Sequence, residues 1–123
     1  MKLILNAVIG NGWQGVLMHF RGCSGRHNRL NRSYHSGDTG DISFFINELI
    51  KRCPNRKITA VGISLGGNAL IKYMGELGEK CPLTAAMAIS IPFDLGICAK
   101  ELETGFARIY QSYLINSLII KTR

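Results

Sequence analysis

Apolar and polar positions follow one another along the chain in blocks that predict alternating helices and strands. Residues 2 to 10 carry apolar side chains at helical offsets before Gly10 and Gly12, which favours a helix, although a short strand fits the same run. Residues 16 to 20 form a continuous apolar run that ends at turn glycines, and they predict a buried strand. The arginine-rich segment 21 to 37 is predicted to be a loop.

The rest of the chain predicts three further helices with strands between them, followed by a last helix. Asp38 and Asp41 supply capping and favourable charge for a helix that ends before Pro54. The remaining predicted elements are a strand at 58–63, a helix at 65–77, a strand at 83–91, a helix near 95–103 and a last helix from about 106 to 120. Three near-continuous apolar strands separated by helices predict the α/β class, as a doubly wound parallel sheet of about three strands with helices on both faces.

The composition is that of a globular protein, with 46% hydrophobic and 19% charged residues in 123. A chain of this length buries roughly two-thirds of the surface that it exposes when unfolded, which is enough for one core. No repeat or low-complexity linker divides the sequence. We therefore expect residues 1–123 to belong to a single domain.

Basic residues outnumber acidic ones by fifteen to eight, and the arginine cluster Arg21, Arg26, Arg29 and Arg32 is the densest concentration of charge. This cluster could bind an anion, but a solvated basic loop is the simpler interpretation. Nucleic-acid binding requires a basic stripe interleaved with stacking aromatic residues or a known reading module, and the sequence has neither. We predict no nucleic-acid partner.

The four cysteines, Cys23, Cys53, Cys81 and Cys98, have neither paired spacing nor clustered histidines, so they predict no metal site. We interpret them as reduced thiols of a cytoplasmic protein.

The apolar start at residues 3 to 9 resembles a signal peptide, but it contains Asn6 and lacks a small-residue cleavage site. No apolar run approaches the roughly 20 residues that a membrane span needs.

The strongest chemical signal is the GxSxG sequence Gly62-Ile63-Ser64-Leu65-Gly66. It lies between a predicted strand and a predicted helix, which is the context of a nucleophile elbow: a sharp turn that exposes a serine hydroxyl and needs small residues around it. Ser64 is the predicted nucleophile, and the backbone N–H of Leu65 is a predicted oxyanion donor at the positive end of the helix. Gly62, Gly66 and Gly67 are the small residues that such a turn needs around the serine. The alternative is a tight turn with an inert hydroxyl.

A second glycine pattern, at residues 10 to 15, matches the GxGxxG fingerprint of dinucleotide-binding proteins. It opens a predicted strand instead of a helix, and the position about 20 residues further on holds His35 instead of an acidic residue. We predict no nucleotide cofactor.

The chain contains, in order, the segments GWQGV (12–16), HFRGCSG (19–25), YHSGDT (34–39), GISLGGN (62–68), PFDL (92–95) and GF (105–106), followed by Tyr110. With these segments nearly the whole chain resembles the YheT-like group of α/β-hydrolases, which is related to the eukaryotic α/β-hydrolase-domain lipases and esterases. The resemblance implies a partial α/β-hydrolase fold, Ser64 as nucleophile and Leu65 as oxyanion donor. It also implies hydrolysis of short-chain esters or acylglycerols without a cofactor.

The chain departs from the pattern of that group in its histidines. In this fold the triad follows the order Ser, Asp or Glu, His, whereas His19, His27 and His35 all precede Ser64. The His-Gly turn that supplies the second oxyanion donor, and the strand before it, are also missing. In the usual sheet order that strand separates those predicted at 16–20 and 58–63, so its loss leaves a gap or forces these two to pair.

Four residues remain as weaker site candidates. Arg21 and His35 belong to the loop that leaves the predicted strand 16–20 at the edge where the elbow lies. His27 belongs to the same loop, and either histidine could approach Ser64 as a substitute base, although bonding to its own backbone is the simpler role. Asp94 follows a strand and could face the site, but capping the next helix suits it better.

Two functional hypotheses follow. The first is an internal segment of a serine ester hydrolase that carries the nucleophile without its base and acid, and that therefore turns over little substrate alone. The second is a non-catalytic binding or self-association module that uses uncovered strand edges.

Overall fold

The computed structural model describes residues 2–26 and 28–122, and the chain divides into two compact units, residues 1–33 and residues 34–123. In the first unit, helix α1 covers Lys2–Gly10 and confirms the helical interpretation of that run. Gly12 follows with a φ of +74° and donates its backbone N–H to Ile9 O. His27 lies outside the described residues.

Residues 16 to 20 do not form the predicted strand. The segment has neither helical nor ladder structure, and residue 15 packs back on α1 instead. A Cβ atom on Gly15 would lie 2.9 Å from Leu5 Cδ2 and 3.4 Å from Val8 Cγ1. The prediction was wrong because an apolar run becomes a strand only where a neighbouring strand takes up its backbone hydrogen bonds, and the run itself does not specify that neighbour.

The second unit follows the predicted order of elements. Its elements are helix α2 (Gly40–Arg52), strand β1 (Thr59–Ile63), helix α3 (Leu65–Leu77) with a short 3₁₀ turn (Gly78–Lys80), strand β2 (Ala85–Ile89), helix α4 (Leu95–Leu102) and helix α5 (Ala107–Thr122). The strands are parallel, with Thr59 opposite Ala85 and Ile63 opposite Ile89. The α/β class is therefore confirmed, with two paired strands in the described residues where about three were expected.

Helix α3 covers one face of the sheet. Gly62 points towards α3, because a Cβ atom placed on it would lie 2.6 Å from Gly67 Cα. Side chains alternate along a strand, so the opposite face carries Val61 and Ile63 beside their cross-strand neighbours Met87 and Ile89. Val61 is 49% exposed and Met87 is 59% exposed. We call these four side chains the open face. Among the described residues α3 is the helix in contact with the strands, so this part of the chain has a helix on one face of the sheet where helices on both faces were expected.

The buried core lies on α2 and α3, which are in contact. Its apolar members are Ile42 and Ile46 on α2 and Ala69, Leu70 and Tyr73 on α3. A polar contact joins the same two regions, since the Thr39 hydroxyl donates to Glu76 Oε2 at 2.6 Å. Glu76 also pairs with Lys72, and that hydrogen bond, followed by the one from Thr39, holds the pKa of the Glu76 carboxyl below its usual range.

The predicted capping of α2 is present in part. Asp38 Oδ1 accepts a hydrogen bond from the backbone N–H of Gly40, the first residue of α2, at 3.3 Å, and Asp41 lies in the first turn. The residue immediately before α2, Thr39, makes no capping bond with its side chain.

Among the described residues no helix combines the length and apolarity that crossing a membrane requires. Nor do the described histidine, cysteine and acidic side chains form a cluster of three that could hold a metal ion.

Candidate active site

Ser64 occupies the single residue between the end of β1 and the start of α3. Its backbone has φ +53° and ψ −124°, a region that L-amino acids rarely adopt and that costs about 1–3 kcal/mol. The chain reverses direction within one residue, and the side chain of Ser64 is exposed. The expected strand, turn and helix are all present around Ser64; its role as nucleophile stays a prediction.

Two glycines make this turn sterically possible. A Cβ atom on Gly62 would lie 2.6 Å from Gly67 Cα, 2.7 Å from Gly66 O and 2.8 Å from Gly67 N. A Cβ atom on Gly67 would lie 3.0 Å from Gly62 O. The end of β1 and the first turn of α3 are therefore in direct backbone contact, and the expected need for small residues at Gly62 and Gly67 has a steric basis.

Both backbone groups of Ser64 are hydrogen-bonded. Its N–H donates to Ile89 O, the last residue of β2, at 2.8 Å. Its carbonyl oxygen accepts from the backbone N–H groups of Gly67 at 2.9 Å and of Asn68 at 3.1 Å. The amides of Leu65 and Gly66 belong to the first turn of α3, whose leading N–H groups have no acceptor within a helix. This is the location that an oxyanion donor at Leu65 requires.

The chain leaving β2, which we call the exit segment (Ile89–Pro92), borders this turn. Ser90 has a φ of +52°, so a second serine with strained backbone follows directly on the residue that bonds Ser64. Ile91 Cγ1 would lie 3.3 Å from a Cβ atom on Gly67, and Pro92 O accepts a hydrogen bond from Asn68 Nδ2 at 3.0 Å. Sequence reasoning missed both Asn68 and Ser90; the available signal was Pro92, which ends the strand abruptly.

His35 is bonded to its own loop. Its Nδ1 accepts the backbone N–H of Gly37 at 3.1 Å, and the ring is exposed. A neutral imidazole has one acceptor nitrogen. While Nδ1 is occupied in this way, the proton is on Nε2, and the ring offers Ser64 no free lone pair. This arrangement matches the simpler of the two roles expected for His35.

Asp94 caps a helix. Its Oδ1 accepts the backbone N–H of Ile97 at 2.9 Å, and the residue lies immediately before α4. This is the role that the sequence favoured over a place in the site. Arg21 is half-buried in a turn of the first unit. The structure thus gathers the residues of the GxSxG turn and the exit segment, while His35 and Asp94 each serve their own loop or helix.

Comparison with known proteins gives three informative relatives. The sequence is 46% identical to YheT of Escherichia coli (strain K12), named as an esterase, over 115 residues. It is 35% identical over 83 residues to the monoacylglycerol lipase of Saccharomyces cerevisiae, and 28% identical over 108 residues to the phospholipase ABHD3 of Homo sapiens.

These matches cover most of this chain and a minor part of each relative. The matched residues make up 94% of the chain and 34% of YheT. They make up 68% of the chain and 18% of the monoacylglycerol lipase, and 88% of the chain and 26% of the phospholipase. The chain therefore spans about a third of the length of YheT and less of the other two. No family model and no solved structure matches the chain.

Proposed function

This chain belongs to the YheT-like group of α/β-hydrolases, and from that premise we propose that it carries the nucleophilic serine of a carboxylic-ester hydrolase. The single observation that carries the proposal is Ser64, held with positive φ between β1 and the N-terminus of α3. Strained backbone of this kind is concentrated at functional sites. The names of the lipase and phospholipase relatives support acylglycerols or similar small esters as the substrate class.

In the proposed reaction Ser64 Oγ attacks the ester carbonyl carbon and loses its proton to a base. The carbonyl oxygen becomes an oxyanion, which the N–H of Leu65 stabilises. The alcohol then leaves with a proton, and water hydrolyses the resulting acyl-enzyme. We place this chemistry in one α/β-hydrolase domain to which residues 1–123 contribute, in the cytoplasm and without a nucleic-acid partner.

The proposal assigns little turnover to the 123-residue chain alone. No histidine follows Ser64 in the sequence, and His35 uses its acceptor nitrogen within its own loop. Without a base the hydroxyl remains protonated and is a poor nucleophile. We expect the chain to hydrolyse a short-chain ester no faster than its Ser64→Ala variant. Efficient turnover that both Ser64→Ala and His35→Ala abolish would refute this part of the proposal and establish a rearranged site.

A chimera tests the nucleophile itself. The matching residues of Escherichia coli YheT are replaced by this chain, and ester hydrolysis is measured beside unaltered YheT. We expect turnover that falls on the order of 10⁶-fold with Ser64→Ala. Ser43→Ala, a half-buried serine on α2, is the matched control and should leave the rate unchanged. A folded chimera whose turnover does not depend on Ser64 contradicts the proposal.

A second candidate function is association through the sheet. The open face is apolar and exposed, although parallel sheets are almost always covered on both faces. Unpaired strand edges and apolar patches promote pairing with another chain. Under this alternative the chain forms concentration-dependent oligomers in size-exclusion chromatography. A monomer with a cooperative melt at every concentration argues against it.

A further inference from the structure

We infer that Asn68 is a positioning residue for Ser64, acting through the exit segment. This inference rests on the proposed function, because it concerns how the proposed nucleophile is held. Its basis is a closed hydrogen-bonded ring in the second unit, formed by the turn at Ser64 and the exit segment.

The ring can be followed bond by bond. The Ser64 N–H donates to Ile89 O at 2.8 Å, and the chain continues through Ser90 and Ile91 to Pro92. Pro92 O accepts Asn68 Nδ2 at 3.0 Å. The backbone N–H of Asn68 returns to Ser64 O at 3.1 Å, which closes the ring. Asn68 is the one member of the ring that contributes both a backbone and a side-chain donor.

This arrangement explains how a strained serine keeps its conformation. Residues in sparsely populated backbone regions persist only when their surroundings determine them more than once. Ser64 is held at its N–H by β2 and at its carbonyl by α3, and the Asn68 side chain fixes these two supports relative to each other. The half-buried position of Asn68 shields its amide from competing water.

Ser90 makes the ring possible. Its φ of +52° turns the chain out of the sheet directly after Ile89, so that the carbonyl of Pro92 comes within reach of α3. The side chain of Ile91 meanwhile packs close to Gly67, as the 3.3 Å approach to a Cβ atom there indicates. A β-branched residue tolerates positive φ poorly, whereas glycine adopts it freely.

The test is amide hydrogen exchange of the 123-residue chain, read by NMR at Ser64 and, for global stability, at Tyr73 in the middle of α3. Asn68→Asp keeps the side-chain shape but removes the donor. We expect exchange at Ser64 to accelerate roughly three- to tenfold, the loss of one hydrogen bond, with exchange at Tyr73 unchanged. Asn47→Asp makes the same chemical change on the exposed side of α2 and should alter neither rate.

The direction of the effect separates this inference from general helix stability. A carboxylate in the first turns of a helix is favourable for the helix dipole, so a purely helical role for residue 68 predicts equal or slower exchange in Asn68→Asp. Unchanged exchange at Ser64, or equal acceleration at Ser64 and Tyr73, overturns the inference.

A second pair of variants keeps the inference testable if Asn68→Asp does not fold. Ser90→Gly retains the turn and should leave exchange at Ser64 unchanged or slower. Ser90→Thr disfavours it and should accelerate exchange at Ser64 alone. Equal rates in the two Ser90 variants contradict the inference. Because these rates measure backbone protection and not catalysis, a chimera without Ser64-dependent turnover would remove the proposed function while leaving the exchange result decisive for the ring.

Discussion

Four residues at the turn depart from ordinary backbone geometry or packing, and each affects stability in its own way. Ser64 and Ser90 both have positive φ, although serine is not a residue that favours it. Gly62 and Gly67 are in contact where any other residue would insert a Cβ atom. The turn therefore restricts side-chain volume at the glycines and stores backbone strain at the serines.

The strain at Ser64 predicts a stabilising substitution. Ser64→Gly should raise the free energy of unfolding by about 0.5–2 kcal/mol, since relief of about 1–3 kcal/mol exceeds the entropy that glycine adds to the unfolded chain. Ser64→Ala retains the Cβ atom and should stay within about 0.5 kcal/mol of the wild type. Urea denaturation measures both. A Ser64→Gly variant that is less stable than Ser64→Ala would show that the positive φ carries no strain.

The close backbone contact at Gly62 predicts a destabilising substitution. Gly62→Ala forces backbone atoms apart and should lower the free energy of unfolding by about 2–3 kcal/mol. Gly75→Ala, in the same α3 helix, meets no atom within 4 Å and should raise it by about 0.5–1 kcal/mol. The same denaturation experiment compares them. Equal effects of the two alanines would mean that the turn relaxes freely around a larger residue.

At the scale of elements, the hydrogen bonds of Glu76 with Lys72 and, second, with Thr39 introduce a pH dependence. The pKa of Glu76 is lowered in the folded state, so its contribution to stability is complete above the ordinary glutamate value of about 4.3 and is lost as the pH falls through the lower folded value. We expect wild type to be more stable than Glu76→Gln at neutral pH, with the difference shrinking in acid. Urea denaturation over a pH series measures it.

Glu48→Gln is the control for that series. Among the described residues Glu48 pairs with Lys51 and lies near Arg52, and both of these side chains belong to α2. Its removal should therefore have the smaller effect at neutral pH, because such exposed pairs within one helix contribute little. If Glu48→Gln and Glu76→Gln behave alike, the bond from Thr39 adds nothing to the contact between the two regions.

Local pattern was sufficient for some elements and not for others. Helix α3 has the predicted bounds, because a strand, a GxSxG turn and a terminal glycine delimit it within the sequence itself. The run at 16–20 is as apolar as β1 but is not a strand, since ladder bonds depend on a distant partner. The turn at Ser64 was predictable because its signals, like those of α3, are neighbours in the sequence. The Asn68 to Pro92 bond was not, because it joins residues 24 positions apart.

At the scale of the molecule, the open face dominates the exposed surface of the sheet. Met87 lies opposite Val61 on that face, and both side chains are about half-exposed. Met87→Lys places a charge in its centre and should shift any self-association towards monomer. Sedimentation velocity over a concentration series measures this shift.

Phe44→Lys is the control for surface apolarity as such. Phe44 is 69% exposed but lies on α2, away from the strands. The Phe44→Lys variant should leave self-association unchanged if the sheet is the contact surface. Equal effects of the two lysines would indicate non-specific association of exposed apolar side chains, and no effect of either would exclude the open face as an interface.

The hydrogen bond from Ser64 to Ile89 also has a consequence for synthesis on the ribosome. The amide donor and its acceptor are 25 residues apart, as 89 minus 64 gives. Because chains emerge from their N-terminal end, β1 and α3 leave the ribosome before Ile89, the partner of Ser64, has emerged. The turn at Ser64 is thus completed only after β2 has also emerged, and a chain that ends before Ile89 lacks the acceptor of the Ser64 N–H.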